Sequence, residues 1–269
     1  MRRILRILVL AILAFLIAFP LFYLFSLSLF SPRDFLSDKA QFFPKKANWS
    51  NFVLALSYRY LPVQLFTSIS TSTLLSTIRF LVITLASFSF THFSFKGKKA
   101  IFIGLMATLF VPQDALLYQN YKIISSLGLI DTYLGIIAPS LFSASQMILL
   151  IGAFSHVDKN CYDSARIDGA SDRTYITQVL LPMSKSIVLV ILLQAFISCF
   201  NSYLWPLLVT NKPRTRTIQI GLTMLGFAEE GNYGAEMASL LIVVLPFVVL
   251  ISICKKSIEK ALIESSIYK

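Results

Sequence analysis

The residues best suited to chemistry with an outside partner lie in a polar run, residues 156–185, set between two uncharged stretches. At its centre the chain reads Asp163-Ser164-Ala165-Arg166-Ile167-Asp168-Gly169-Ala170-Ser171, and the run goes on to Leu180-Leu181-Pro182. Both charge signs, small side chains and one glycine suit close docking through ion pairs and surface contact, not bond making. No HExxH, GxSxG or P-loop spacing occurs, and the Gly97-Lys98 pair follows no strand, so zinc-protease, serine-hydrolase and nucleotide-binding readings fall away. No catalytic group, metal site or cofactor is expected of this chain. Elsewhere, Arg79 is the clearest charge inside an apolar stretch. Such a residue either faces a pathway or is paired structurally, here with Asp114 or with helix carbonyls. Tyr203 and Trp205 can stack on the apolar faces of a sugar, and Asn201, one helical turn before Trp205, can add a hydrogen bond. Interfacial anchoring is the alternative role for these aromatics. His92 and His156 are too few for a metal cluster and read as solvated surface histidines, while Glu229, Glu230 and Glu236 read as a solvated external face. Cys161, Cys199 and Cys254 are odd in number and widely spaced, which supports neither a disulfide framework nor a CxxC metal site.

The elements that position these groups follow from composition. Of 269 residues, 56% are hydrophobic and 14% charged, and the mean hydropathy is +0.74. A soluble domain carries roughly a quarter charged residues. About 20 apolar residues cross ~30 Å of hydrocarbon as a helix. Windows of that kind predict an all-α membrane protein, one transmembrane domain over 1–269, with six spans at 7–30, 62–92, 100–119, 132–155, 186–208 and 237–254. No alternating strand pattern argues for a barrel. The first span exceeds the ~7–15 residues of a signal core and has no small-x-small site before Pro20, so it reads as a retained helix. Lys and Arg are in excess on one set of connections: Arg2, Arg3, Arg6; Lys96, Lys98, Lys99; Lys159, Arg166, Arg173, Lys185; and Lys255, Lys256, Lys260, Lys269. The positive-inside rule then places both termini and the 156–185 run in the cytoplasm. The net charge of +11 needs no nucleic acid, because anionic lipid headgroups beside the cytoplasmic loops account for it.

Local signals refine the picture. Span two carries a hydroxyl-rich side, Thr67, Ser68, Ser70, Thr71, Ser72, Thr73, Ser76 and Thr77, which reads as a packing face or a solute-lining one. Span three kinks or ends at Val111-Pro112, and Asp131 or Thr132 starts span four. In the 156–185 run, Asp158 caps a helix over 159–168, with an expected ion pair between Asp163 and Arg166 one turn apart. Gly169 supplies a left-handed stop. Ser171 caps a second helix with Asp172 in its first turn, and this helix breaks at Pro182. The result is a helix–glycine–helix knob.

This run resembles the EAA loop of inner-membrane permease subunits of binding-protein-dependent ABC importers, of the carbohydrate-importer type that includes maltose and glycerol-3-phosphate permease subunits. Asp163, Ser164 and Ala165 stand at the E-A-A positions, and Ile167-Asp168-Gly169-Ala170-Ser171 and Leu181-Pro182 match the D-G-A-S and L-P parts. Leu127-Gly128-Leu129-Ile130-Asp131-Thr132-Tyr133 with Pro139, Phe200-Asn201-Ser202-Tyr203-Leu204-Trp205-Pro206, and Thr217 through Leu222 are similar to further family stretches in the same order. The chain departs from the pattern at Asp163 for Glu, Ser164 for Ala, Asp158 for Pro, and in a tail, 260–269, that has no glycine. The resemblance implies a coupling helix, with Asp163, Ser164, Ala165, Arg166, Asp168, Gly169 and Ala170 docking into a cytoplasmic ATPase. It implies a homologous second permease, two ATPase subunits that hold ATP and Mg, an extracytoplasmic solute-binding protein, and a multi-pass place among the lipids of a bacterial inner membrane. The expected solute is a sugar, an oligosaccharide or a polyol phosphate such as glycerol-3-phosphate. A secondary transporter is the alternative, but it calls for inverted repeats and several intramembrane ionisable groups. An intramembrane enzyme would need catalytic side chains that the sequence lacks.

Overall fold

The computed structural model describes residues 2–36, 41–58, 60–226 and 231–267, except for the side chains of 2, 3, 113, 159 and 256–267. Glu229, Glu230 and the side chains of the C-terminal tail therefore lie outside the described residues. In chain order the helices are α1 (Arg2–Ser28), α2 (Pro32–Phe35), α3 (Ser50–Ser57), α4 (Leu61–His92), α5 (Lys98–Ala107), α6 (Leu117–Ser126), α7 (Tyr133–Ile137) and α8 (Ala144–Ser155). They continue as α9 (Lys159–Ile167), α10 (Asp172–Tyr175), α11 (Leu181–Met183), α12 (Lys185–Phe200), α13 (Leu204–Val209), α14 (Ile218–Leu222) and α15 (Tyr233–Ile267). No strand occurs among the described residues.

Among the described residues, three stretches are long and apolar enough to cross a membrane unbroken: Ile4–Ser28, Leu61–His92 and Tyr233–Lys255. Three more are bent pairs. Lys98–Phe110 meets Asp114–Ser126 at 94°, Tyr133–Ser140 meets Ala144–Ser155 at 61°, and Asp172–Met183 meets Lys185–Phe200 at 90°, so up to six spans result if each pair counts as one. The bends have local causes. Val111 sits at φ −90° and ψ 115°, because a residue before proline is driven out of the α region. The 132–155 stretch turns where Pro139 lies in a tight turn, and Ser143 restarts the chain as α8 by accepting a hydrogen bond from the Gln146 N–H. The 186–208 stretch is interrupted after α12 and resumes as α13. At about 1.5 Å per residue, the 32 residues of α4 measure roughly 48 Å, well beyond ~30 Å of hydrocarbon.

The chain forms two units, each taken by itself: Met1–Leu65 with Ile218–Leu250, and Phe66–Thr217 with Ile251–Lys269. In the first, the fully buried Asn51 donates its Nδ2 hydrogens to the carbonyls of Ser28 and Phe30, both at 2.8 Å. These carbonyls lie at and beyond the end of α1, where no intrahelical donor remains. Gly234 lies against this junction, and a β-carbon there would collide with Asn51 Nδ2 and the Phe30 carbonyl oxygen. Close approach, not loop flexibility, explains that glycine.

In the second unit, Ile83 and Phe88 of α4, Met147, Leu150 and Phe154 of α8, Tyr175, Leu180 and Ile191 form one buried cluster. Between lipid-embedded helices, shape complementarity rather than water exclusion holds such a cluster together. Of the hydroxyl-rich side of α4, Thr67, Ser68, Thr71, Ser72 and Ser76 are buried and Thr73 and Thr77 exposed. Thr71 Oγ1 donates within the helix to the Thr67 carbonyl (2.8 Å), and farther along Ser87 Oγ reaches across to the Met147 carbonyl of α8 (3.2 Å). The helix after Ser171 does not break at Pro182 as expected. It widens into a π turn over Ile176–Leu180, passes Pro182 in α11, and ends at Ser184. A proline ring clashes with the carbonyl four residues earlier in regular α geometry, and a wider turn just before it relieves that clash.

Candidate functional site

The knob is built from local hydrogen bonds. Asp158 Oδ1 accepts from the Asn160 N–H at 3.0 Å and starts α9. Gly169 lies at φ 80°. Around it the Gly169 N–H donates to the Arg166 carbonyl (3.1 Å) and the Ala170 N–H to the Ala165 carbonyl (2.9 Å). Ser171 Oγ then accepts from the Thr174 N–H at 3.2 Å to start α10. The expected partner of Arg166 is corrected: Arg166 pairs with Asp172 at 3.2 Å rather than with Asp163. The glycine turn folds the start of α10 back onto α9, and Asp172 also accepts from the Tyr162 hydroxyl at 2.8 Å. With side chains 59% and 39% exposed, the ion pair adds no more than about 1 kcal/mol. Burial, followed by the bond to Asp172 and that carboxylate's charge, pushes the Tyr162 phenol above its usual pKa, against a smaller opposing pull from Arg166.

An aromatic group seats the knob on the end of α4. His92 stacks on Phe88 (4.6 Å) and meets Tyr162 (4.9 Å) and Tyr175 (5.4 Å) edge to face, while Tyr162 and Tyr175 meet at 4.9 Å. Thr91 Oγ1 lies 2.7 Å from His92 Nδ1. The reading of His92 as a solvated histidine is thus corrected: it is half-buried in a ring cluster whose pairs contribute about 0.5–1.5 kcal/mol each beyond burial. His156 is exposed, with Nδ1 2.7 Å from the Gly152 carbonyl. Cys161, Tyr162 and Ala165 face the core cluster. Asp163, Ser164, Arg166, Asp168 and Gly169 face outward, and Ile167 stands 86% exposed at the knob's tip. Sequence reasoning gave Ile167 no role of its own and passed over Phe88, Tyr162 and Tyr175. The i, i+4 spacing of Phe88 and His92 was the available signal for the ring cluster.

A second feature is a cavity of about 730 Å³ at the bends of the apolar stretches. Tyr203 and Trp205 line it, together with Asp114, Asn120, Ser143 and Ser145, which sequence reasoning did not bring together. Arg79 and Asn201 are not among its lining residues. Arg79 is 6% exposed and donates its Nε hydrogen to the Ser140 carbonyl at 2.6 Å. It thereby satisfies an acceptor released where the helix ends before α8. Asn201 is the C-cap of α12. The Trp205 Nε1 hydrogen is directed to the carbonyls of Gly135 (3.2 Å) and Ile136 (3.0 Å), so only its ring faces remain for a solute. Nearby, Asp131 at φ 60° accepts at Oδ1 from the N–H groups of Asn211 (2.6 Å) and Lys212 (2.9 Å) and from Thr215 Oγ1 (2.9 Å). Burial raises this carboxyl's pKa, but the three hydrogen bonds and the Lys212 charge outweigh it and hold the group below its ordinary value. Among the described residues no three His, Cys, Asp or Glu side chains gather as a metal site.

Apolar helices, two bent pairs of which line a cavity of mixed polarity, and a compact polar knob anchored by rings define a membrane-embedded transport component. Residues 1–263 match the family described as binding-protein-dependent transport system inner membrane component. The chain belongs to that family. It is 28% identical over 258 residues to the sn-glycerol-3-phosphate transport system permease protein UgpE of Agrobacterium fabrum, covering 93% of this chain and 92% of that one. It is also 28% identical over 267 residues to the trehalose/maltose transport system permease protein MalG of Thermococcus litoralis, covering 97% and 95%. Its fold matches a chain of a bacterial ABC transporter involved in the import of the acidic polysaccharide alginate, with TM-score 0.81 and 19% identity over 94% of this chain and 95% of that one. This chain is therefore a multi-pass inner-membrane permease component of an ABC importer and not an enzyme.

Proposed function

We propose that the chain passes a sugar or a glycerol-3-phosphate-like solute into the cytoplasm, driven by ATP that two separate ATPase subunits bind with Mg and hydrolyse. A homologous second permease completes the pathway, and an extracytoplasmic solute-binding protein delivers the solute. Both termini and the α9–Gly169–α10 knob face the cytoplasm. Asp163, Ser164, Arg166, Asp168, Gly169 and Ala170 form the coupling surface, with Ile167 as its apolar anchor and Ala165, turned to the core, seating it from beneath. The observation that carries this reading is the exposure of Ile167, 86% at the tip of an otherwise well-seated knob. On this knob Ile167 shares one outward surface with the exposed Asp163, Ser164, Arg166, Asp168 and Gly169, and a side chain of its size can fill a partner's pocket. ATPase closure pushes the knob, and the Phe88, His92, Tyr162 and Tyr175 rings pass that displacement to α4. Leu180 and Ile191, in the same core, pass it to α12.

The test is purification of the chain with its associated subunits, followed by ATP hydrolysis with candidate solutes. Ile167→Asp is predicted to leave thermal unfolding within about 0.5 kcal/mol of wild type, as surface changes usually do. It should lower ATPase retention by roughly thirtyfold or more, as expected for a central anchor worth about 2 kcal/mol. Full retention of the ATPases by this variant would remove the coupling role from the knob's tip.

A further inference from the structure

A smaller cavity, of about 380 Å³, is lined by Phe90, Lys98, Lys99, Phe102 and Ile151. All five belong to the second unit. The chain builds this cavity in two layers. Gly97 at φ 81° turns α4 into α5, so Lys98 and Lys99 stand in the first turn of α5. Phe102 follows one helical turn later, about 6 Å along the axis at 1.5 Å per residue. Phe90, near the end of α4, meets Phe102 at 5.7 Å between ring centres, and Ile151 lies one turn before the end of α8. Charge thus stands at the rim, with apolar walls behind it.

The chain does not neutralise that rim. No Asp or Glu occurs between Arg79 and Gln113, and α8 carries no charged residue. Among the described residues the only ion pair is Arg166–Asp172. The Lys98 ammonium donates to the Phe93 carbonyl at 2.9 Å, which holds it at the turn and uses one of its three hydrogens. Lys96 adds a third, exposed charge. A soluble anion would answer the lysines and gain nothing from Phe90, Phe102 and Ile151. An apolar partner helix would cover the walls but desolvate the ammonium groups without a counter-charge, which is costly. A molecule with a phosphate at one end and hydrocarbon behind it answers both layers, and the bilayer around this chain supplies it. We propose that this cavity binds one anionic phospholipid, its phosphate at Lys98 and Lys99 and an acyl chain along Phe90, Phe102 and Ile151. These walls pack against the buried cluster that holds Phe88, Phe154 and Tyr175, so the lipid braces the helix ends on which the knob is seated. Lipid binding here is independent of the solute carried and of the knob's partner.

Native mass spectrometry tests this on the purified full-length chain with its associated subunits, delipidated in neutral detergent. Titration with dioleoyl phosphatidylglycerol or dioleoyl phosphatidylcholine separates headgroup charge from chain burial. Wild type should hold one phosphatidylglycerol about tenfold or more tightly than phosphatidylcholine, as two lysines beside an anionic headgroup allow. Lys98→Gln combined with Lys99→Gln should bring the two lipids within about threefold. Lys45→Gln combined with Lys46→Gln, the same charge change at exposed sites in the first unit, should leave the preference standing. Ile151→Trp, which narrows the cavity, should weaken both lipids about tenfold. The melting temperature of each variant before lipid is added reports that it is folded. Equal retention of the two lipids by wild type, or a preference unmoved by the Lys98 and Lys99 changes, overturns the proposal. A preference lost equally on changing Lys45 and Lys46 also overturns it, because a general attraction to basic surface would then suffice. Retention of neither lipid overturns it as well and leaves the cavity to a partner helix.

Discussion

Replacing Gly169 separates two explanations for a glycine at the knob. The residue sits at φ +80°, and a β-carbon there would meet nothing within 4 Å. Any penalty inside this chain is therefore backbone strain and not collision. An L-residue held in the left-handed region costs about 1–2 kcal/mol, with β-branched residues at the upper end and asparagine the best tolerated. The turn is closed by two main-chain hydrogen bonds, from Gly169 to Arg166 and from Ala170 to Ala165, each worth about 1 kcal/mol net. A penalty near 2 kcal/mol matches what closes the turn and shifts its population by roughly thirtyfold. Gly169→Val should cut solute-stimulated ATP hydrolysis and uptake in proteoliposomes about tenfold or more, while Gly169→Asn should stay within about threefold of wild type. Two results would refute this reasoning. Normal transport by Gly169→Val would mean that the left-handed stop is dispensable. Equal failure of both variants would mean that the partner tolerates no side chain there, so that contact and not backbone conformation selects glycine.

Two further outcomes follow from the second unit. Arg79→Met should strip the Ser140 carbonyl of its donor, destabilising the solubilised protein by about 1–3 kcal/mol; an unchanged melting temperature would show that the 2.6 Å bond holds nothing. Asp131→Ala should loosen residues 209–215, read by hydrogen exchange of the Asn211 and Lys212 amides. Because its pKa is lower in the folded chain than the ordinary 3.8, Asp131 stabilises the fold above that value, and its contribution fades as pH falls through the lower folded value. Protection of these amides in wild type should therefore drop toward that of Asp131→Ala in strong acid. Protection that is pH-independent, or equal in the two proteins at neutral pH, would count against the staple.

How far the sequence reaches is clear from particular residues. Asp158, Thr132 and Ser171 read as caps and Gly169 as a stop, because those interactions close within one turn and need no knowledge of the rest of the chain. The apolar windows read as membrane stretches because crossing hydrocarbon is a matter of length and mean polarity. The same averaging hides the bends before Ser143 and at Ser184, while the one at Val111-Pro112 is legible because proline marks it. A window total is unchanged when a helix breaks, provided remote groups take up the freed backbone. Only the tertiary structure provides those groups: Arg79 for Ser140, Trp205 for Gly135 and Ile136, and Asp131 for Asn211 and Lys212.

Tertiary packing also decided that Arg166 turns to Asp172 rather than to Asp163, and that His92 lies among rings. It carried the helix through Pro182 on a π turn. The sequence by itself determined that this chain lives in a bilayer and carries a helix–glycine–helix knob, since both follow from local composition and short-range hydrogen bonding. Which residues share the cavity was decided in three dimensions. Asp114, Asn120, Ser143 and Tyr203 come from separate stretches, and a cavity exists only where bent helices bring such stretches together.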